Sequence, residues 1–136
     1  MSETEYALQL LSMAEKDLRA IEAMAENEAF ATEIFGFHAQ QAIEKALKAW
    51  IAVLGETHSF THNIGTLLDE LEGLGQDVER FGSLTLYTDF AVVLRYSGLE
   101  STDTPGDLDR PAAIAEVRGL LDHVRAIVAE VPDEDH

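Results

Sequence analysis

The sequence contains no cysteine, few basic residues and no long apolar run. The lack of cysteine excludes disulfides, thiolate chemistry and zinc sites built on cysteine. Only 9 of the 136 residues are lysine or arginine, against 26 aspartates and glutamates, which gives a formal net charge of -17. A charge this negative disfavours non-specific binding to DNA, RNA or an anionic membrane, because all three are repelled at long range. It leaves a local basic site open.

The apolar stretches are too short to cross a bilayer. The most apolar one, Ala46 to Leu54, is interrupted by Lys48 and is far too short for a transmembrane helix. The first residues, Met1 to Glu5, lack the basic region and apolar stretch of a signal peptide. We therefore expect a cytoplasmic protein that binds no membrane.

Length and hydrophobicity favour one folded domain. At 46% hydrophobic residues, the chain is too apolar for a disordered acidic protein. A chain of this length supports a single core. We expect one helical domain over residues 1–131, followed by an acidic tail over residues 132–136.

Apolar residues recur at helical spacing along the whole chain. The spacing predicts helices near residues 4–28, 31–54, 63–71, 77–94 and from 109 onward. The stretch 84–94 is rich in β-branched and aromatic residues, but no partner strand is visible, so a helix is favoured. These elements predict an all-α fold, an antiparallel bundle of four to five helices. The stripe on the first helix consists of Leu8, Leu11, Ala14, Leu18, Ile21 and Ala25.

Several residues mark where the helices begin and end. Ser2 and Glu5 resemble a capping box, and Thr61 or Asn63 is a suitable cap for the short third helix. Gly55 is a natural stop for the second helix, and Pro111 suits the first turn of the last one. The second helix is apolar nearly all round at its end, which predicts a central position. The residues that we expect to be largely buried are Leu47, Trp50, Leu54, Leu84 and Tyr87.

A polar stripe on the second helix is the first candidate site. His38, Gln41, Lys45 and Lys48 fall within about 80° of one another on the helix surface. Two of the three lysines of this acidic chain lie in the stripe. It can serve as a groove that faces an anion, such as a phosphate or a nucleic-acid backbone. It can equally be the solvated face of an amphipathic helix, with Glu44 and Lys48 as an i,i+4 pair.

Arg95 and Tyr96, at the end of the fourth predicted helix, are the second candidate. An arginine in a last turn suits the helix dipole, and Gly98 then ends the helix, so both residues have a purely structural explanation. The functional interpretation places the guanidinium of Arg95 beside the polar stripe as a two-point donor to phosphate. We then expect opposed carboxylates to be sparse around the stripe.

Metal and cofactor sites are not expected. His58 and His62 have a metal-ligand spacing, but they lie across a loop and a cap rather than on one helix face. His62 is better suited to capping or packing the start of the third helix. No nucleotide-binding glycine motif, P-loop or nucleophile elbow is present.

Three segments together resemble the HEPN family, a small helical domain found in prokaryotes and higher eukaryotes. The segment Phe37 to Trp50, which reads FHAQQAIEKALKAW, is similar to the signature of that family's second helix. Thr61 to Ile64, followed by Leu67 and Leu68, is similar to the family's THdL…LL segment. Arg95 to Gly98 is similar to its RYPG segment, with Ser97 where proline is usual. The order and spacing of the segments agree with the family pattern.

The resemblance implies a fold and a set of functions. HEPN domains are bundles of four to five helices and are often homodimers. Bacterial members are often encoded beside a small nucleotidyltransferase and act as the toxin of a toxin–antitoxin pair. Many are metal-independent ribonucleases with an Arg-x4–6-His motif, and others bind a nucleotide or a protein partner without catalysis.

The ribonuclease motif is incomplete in this chain. Arg95 matches the arginine, but Glu100, Ser101 and Thr102 occupy the positions of the histidine. The chemistry needs a histidine to move the proton of the 2′-hydroxyl and an arginine to hold the phosphate. Arg118 and His123 have the spacing, but at an i,i+5 offset on one helix their side chains point about 140° apart.

Three functional hypotheses follow from these observations. The leading one is a non-catalytic HEPN domain, a homodimer associated with a nucleotidyltransferase or a toxin–antitoxin system. It binds a nucleotide, an RNA or a protein partner through His38, Gln41, Lys45, Lys48, Arg95 and Tyr96. The alternative is an atypical ribonuclease that uses Arg95 with His38, or Arg118 with His123. The third is a purely structural dimer, and none of the three involves DNA, a metal or a cofactor.

Overall fold

The computed structural model describes residues 2–90 and 108–131, and every regular element in those ranges is helical. This confirms the all-α fold predicted from the spacing. The sequence predictions for Arg95, Tyr96 and the rest of 91–107 lie outside the described residues, as does the predicted tail 132–136. The elements are α1 (Glu3–Met24), α2 (Thr32–Val53), α3 (Ile64–Gly73), a 3₁₀ helix (Glu79–Tyr87) and α4 (Arg110–Glu130).

Helix α1 begins at the predicted cap, and α1 and α2 make the most extensive helix–helix contact of the fold. The amide of Glu5 donates to Ser2 Oγ at 3.1 Å. The prediction that Leu8 lies on the buried stripe is wrong, because Leu8 is exposed and Leu10 is buried in its place. The buried face consists of Ala7, Leu10, Leu11, Ala14, Leu18, Ile21 and Met24.

Helix α2 occupies the centre of the fold, as its apolar surround predicts. It contacts α1, α3, the 3₁₀ helix and α4. Leu47 and Trp50 are buried, whereas Leu54 is only half-buried because it lies at the C-terminal cap. Gly55 follows in the left-handed region at φ 85°, where a side chain would be strained. No helix in residues 2–90 or 108–131 is long and apolar enough to cross a bilayer.

Helix α3 is capped by Asn63, one of the two predicted caps. Asn63 Oδ1 accepts from the amide of Thr66 at 3.1 Å. Thr61 supports the turn before it, because Thr61 Oγ1 accepts from the amide of Asn63 at 3.0 Å. The helix ends at Gly73, and Gly75 follows the cap residue Leu74 with φ 84°.

The segment after α3 differs from the prediction of one continuous α-helix over residues 77–94. Residues 79–87 form a 3₁₀ helix, and a helical turn follows at 88–90. The reason is the spacing of the apolar residues: Phe81, Leu84, Tyr87 and Phe90 recur at every third position, and all four are buried. A 3₁₀ helix places such residues directly above one another, whereas an α-helix rotates them away from the core.

Helix α4 begins at Asp109, whose carboxylate accepts from the amide of Ala112 at 3.1 Å, with Pro111 in the first turn. Arg110 donates to the carbonyls of Met24, at 2.8 Å, and Phe30, at 2.6 Å, and so ties α4 to the turn between α1 and α2. The helical spacing of Ala115, Leu120, Val124, Ile127 and Val131 predicts that they form the apolar side of this helix, but Ala115 is exposed. The buried residues are Ala113, Ile114, Val117, Leu120, Leu121, Val124 and Val128.

Candidate functional site

The polar stripe predicted on α2 lies on the one side of that helix that carries charged side chains. Two further polar residues, Gln40 and Glu44, lie beside it towards α3 and were not predicted as site residues. We use the name polar face of α2 for the whole set. Its members are His38, Gln40, Gln41, Glu44, Lys45 and Lys48.

The α1 side of the polar face is organised by Asp17. His38 Nδ1 donates to Asp17 Oδ1 at 3.0 Å, and Lys45 Nζ donates to Asp17 Oδ2 at 2.7 Å. Because a carboxylate only accepts, the proton of the His38 ring is on Nδ1 in this pair. The His38 side chain remains 34% exposed. Its Nε2 atom, which makes no hydrogen bond to the described residues, is therefore the part of the ring available to a ligand.

The α3 side is organised by Glu44, which is more deeply buried. Its carboxylate, 6% exposed, accepts from Lys48 Nζ at 2.8 Å, His62 Nδ1 at 2.9 Å and Gln40 Nε2 at 2.9 Å. Burial alone would raise the pKa of Glu44, but these three hydrogen bonds and the charge of Lys48 outweigh it and hold the pKa below its usual 4.5. Glu44 is therefore ionised at neutral pH.

A chain of amide hydrogen bonds extends the α3 side of the polar face. Gln40 donates to the carbonyl of His62 at 3.1 Å as well as to Glu44, and its own oxygen accepts from Gln41 Nε2 at 2.7 Å. Every fully buried side-chain nitrogen or oxygen in the described residues has a hydrogen-bond partner. A fully satisfied network of this kind holds its members in one arrangement.

The expectation that carboxylates are sparse around the stripe is wrong. Lys45 faces Asp17 and Lys48 faces Glu44, so two positive charges meet two negative ones. With the histidines counted as neutral, the polar face and Asp17 together carry no net charge, in a chain of -17. The polar face therefore offers hydrogen bonds in fixed positions rather than a concentration of positive charge.

Arg95 and Tyr96, the remaining predicted site residues, lie outside the described residues, as do Glu100, Ser101 and Thr102. Their placement relative to the polar face stays a prediction.

The alternative catalytic pair, Arg118 and His123, is not brought together. Arg118 forms an ion pair with Glu22 on α1. His123 packs against Trp50 and Phe81, with ring centroids 4.8 Å and 5.2 Å away. Burial lowers the pKa of His123, and the charge of Arg80 lowers it further. The two side chains serve different contacts, as their i,i+5 offset indicates.

His58 and His62 also have separate structural partners. His62 bonds Glu44 and directly precedes the Asn63 cap, which agrees with the predicted role at the start of α3. His58 is buried against Tyr6, whose hydroxyl lies 2.7 Å from His58 Nε2. The described residues contain no group of three or more histidine and acidic side chains arranged to hold a metal ion.

Sequence reasoning missed Asp17, Gln40 and His62 as parts of the site. Asp17 and His62 join it only through tertiary contacts, 21 and 18 positions away from their partners His38 and Glu44. Gln40 carried a usable signal, because it stands at the i,i+4 offset from Glu44 that the Glu44–Lys48 pair also has.

Comparison with known families agrees with this architecture. Residues 7–133 match the family model described as HEPN domain. No curated protein and no solved structure gives a match. The matched range includes all of α2 and α3, the 3₁₀ helix, α4 and most of α1. The chain therefore belongs to the HEPN domain family.

Proposed function

We propose that this HEPN domain is a non-catalytic binding module that takes a nucleotide on the polar face of α2. The observation that carries the proposal is the buried network of Glu44, Lys48 and Gln40. The exposed ring of His62 donates to the same Glu44 carboxylate. Burying a charged pair costs solvation energy that its own attraction rarely exceeds. A network held in this way is better explained by binding than by folding.

The charge balance of the polar face indicates which part of a nucleotide it would contact. Two lysines already paired with carboxylates attract a phosphate only weakly, because each charge is locally cancelled. Gln41 and the half-exposed ring of His38 offer directional donors and acceptors, which suit a base edge or a ribose hydroxyl. Arg95 is the residue that we expect to hold the phosphate, through its two-point fork.

The partner that we propose is a nucleotidyltransferase, within a cytoplasmic toxin–antitoxin pair, with the HEPN chain itself as a homodimer. The support is the family membership, together with large exposed apolar side chains such as Leu86. Light scattering at micromolar concentration should give twice the chain mass. A monomer that also fails to co-purify with a nucleotidyltransferase encoded beside it would contradict this part of the proposal.

One observation favours an enzyme as the second candidate. Asp17 orients the His38 ring through Nδ1, as a carboxylate orients the histidine of a general base. If Arg95 lay beside His38, the imidazole could take the proton of a 2′-hydroxyl while the guanidinium held the phosphate. The alternative is thus an atypical, metal-independent ribonuclease.

Two assays on the same proteins separate the candidates. ATP binding is measured by calorimetry, and RNA cleavage is measured in the presence of a chelator. The variants are R95A and H38Q, with R19A as the control because Arg19 is an exposed arginine of α1. We expect no cleavage by any protein, and weaker ATP binding for R95A and H38Q than for R19A. Cleavage by the wild type that R95A and H38Q abolish would establish the ribonuclease instead.

A further inference from the structure

A pocket lies at one end of the α1–α2 pair. The turn that joins the two helices is at the other end. The pocket has a volume of about 360 Å³, which is in the range of small-molecule sites. The start of α1, the end of α2 and the loop 56–60 enclose it. None of the residues that line it belongs to the polar face of α2.

Three aromatic rings form one wall of this pocket. The rings of Tyr6 and His58 are nearly parallel, 15° apart, with centroids 5.7 Å apart. Phe60 meets His58 edge-on, also at 5.7 Å. Phe60 is 91% exposed, which is unusual for a large apolar side chain. A ligand in the pocket would cover it.

Hydrogen bonds fix the wall. His58 Nδ1 donates to the carbonyl of Ser59 at 2.9 Å, and His58 Nε2 lies 2.7 Å from the hydroxyl of Tyr6. Ser59 is itself anchored, because its hydroxyl donates to the carboxylate of Glu70 at 2.6 Å. The loop that carries Phe60 is thus tied to α3 rather than free.

The rest of the pocket is negative. The carboxylates of Glu3 and Glu56 line it, and neither forms an ion pair with a described residue. The Glu3 carboxylate lies over Gly55, 3.4 Å from where a Cβ would be placed. The last turn of α2, which ends beside the pocket, contains no basic residue.

We propose that this pocket binds a small alkylated ammonium cation, of the kind that choline carries. Aromatic faces attract such a cation through the ring quadrupole, and they accept its methyl groups as an apolar surface. The two carboxylates supply the opposite charge. An anion is excluded by the same charges, and a neutral apolar ligand would make no use of them. The pocket shares no lining residue with the polar face of α2, so this proposal does not depend on the nucleotide proposal.

Calorimetric titration of the full chain with choline tests this proposal. The matched ligand is the neutral isostere in which a tert-butyl group replaces the trimethylammonium. We expect choline to bind and the isostere to bind at least about tenfold more weakly, because it has the same shape and no charge. Equal binding of the two ligands, or no binding of choline, would overturn the proposal.

Matched variants localise the binding. F60A and E56Q remove one ring and one carboxylate of the pocket. F30A and E28Q make the same changes at the other end of the α1–α2 pair, about 30 Å away by the length of these helices. All four residues are exposed, so the fold should survive each change. We expect F60A and E56Q to weaken choline binding about fivefold or more, and the two controls to leave it unchanged. Equal effects of the pocket and control variants would contradict the site.

Discussion

Both faces of α2 bury side chains, but they are built in opposite ways. One face packs Phe35, Ile43, Leu47 and Trp50 into the core with no charged group among them. The other buries Glu44 and Lys48, whose side chains are 6% and 11% exposed. Apolar burial stabilises a fold in proportion to its area, whereas a buried ion pair loses in solvation most of what it gains in attraction.

The difference assigns separate tasks to the two faces. The apolar face holds the helices together, and the polar face keeps its side chains in a fixed arrangement at little gain in stability. Substitutions on the two faces should therefore differ in kind as well as in size.

The largest effect is expected on the apolar face. Trp50 packs against Phe81 and His123, and its Nε1 donates to Gln76 at 3.1 Å. Trp50→Ala should lower the free energy of unfolding by about 3–5 kcal/mol, measured by urea denaturation, because it leaves a large cavity. Arg19→Ala is the control, since Arg19 is exposed, and it should stay within about 0.5 kcal/mol of the wild type. A loss below about 1 kcal/mol for Trp50→Ala would contradict the assignment of the core.

The next effect is expected from breaking the deeper pair of the polar face. Glu44→Leu leaves the ammonium of Lys48 buried without its carboxylate and removes the acceptor of His62. The loss in the free energy of unfolding should be about 3 kcal/mol. Thermal and urea unfolding should agree on it. An unchanged stability would mean that Lys48 reaches solvent once its partner is removed.

A smaller effect is expected on the α1 side. Asp17→Asn removes the charge that Lys45 and His38 face, but both of these side chains are partly exposed to water. Solvent screening should limit the loss to about 1 kcal/mol. If Asp17→Asn costs as much as Glu44→Leu, the two halves of the network are equally buried in solution, contrary to the structure.

The two faces should lose their contributions to the free energy of unfolding at different pH values as the solution is acidified. The pKa of His123, which touches Trp50, is lowered by burial and by Arg80, so the unfolded chain binds a proton more readily. The contribution of His123 to the free energy of unfolding is present above about pH 6.5, and it is lost as the pH falls through the lower pKa of the folded state. Glu44 also has a lowered pKa, so its contribution is lost only below the usual 4.5.

Urea denaturation between pH 7 and pH 4 should therefore show that the free energy of unfolding of the wild type starts to fall before Glu44 titrates. We call this decrease the early loss. His123→Phe, which keeps an aromatic ring beside Trp50, should remove that early loss, whereas Glu44→Leu should retain it. An early loss that persists in His123→Phe would show that another group titrates in this range.

The sequence predicted the fold far better than the site. The apolar residues on nearly all sides of α2 were enough to place this helix at the centre, because they belong to one continuous stretch of the sequence. The i,i+4 pair of Glu44 and Lys48 was visible for the same reason. The contacts of His38 with Asp17 and of Glu44 with His62 join different elements, and no local pattern encodes them.

The 3₁₀ helix is an intermediate case. The three-residue spacing from Phe81 to Phe90 was present in the sequence, but it is close enough to helical spacing that an α-helix was predicted. A strict period of three over four apolar residues is the feature that separates the two.

The double variant Glu44→Leu with Lys48→Met tests most directly whether the polar face is kept for binding rather than for folding. Both substitutions replace a charged side chain with an apolar one of similar size, and together they leave neither charge of this pair buried alone. The free energy of unfolding, measured by urea denaturation, should lie within about 1 kcal/mol of the wild type or above it. A loss of about 3 kcal/mol or more, as large as for Glu44→Leu alone, would show that the network holds the fold together.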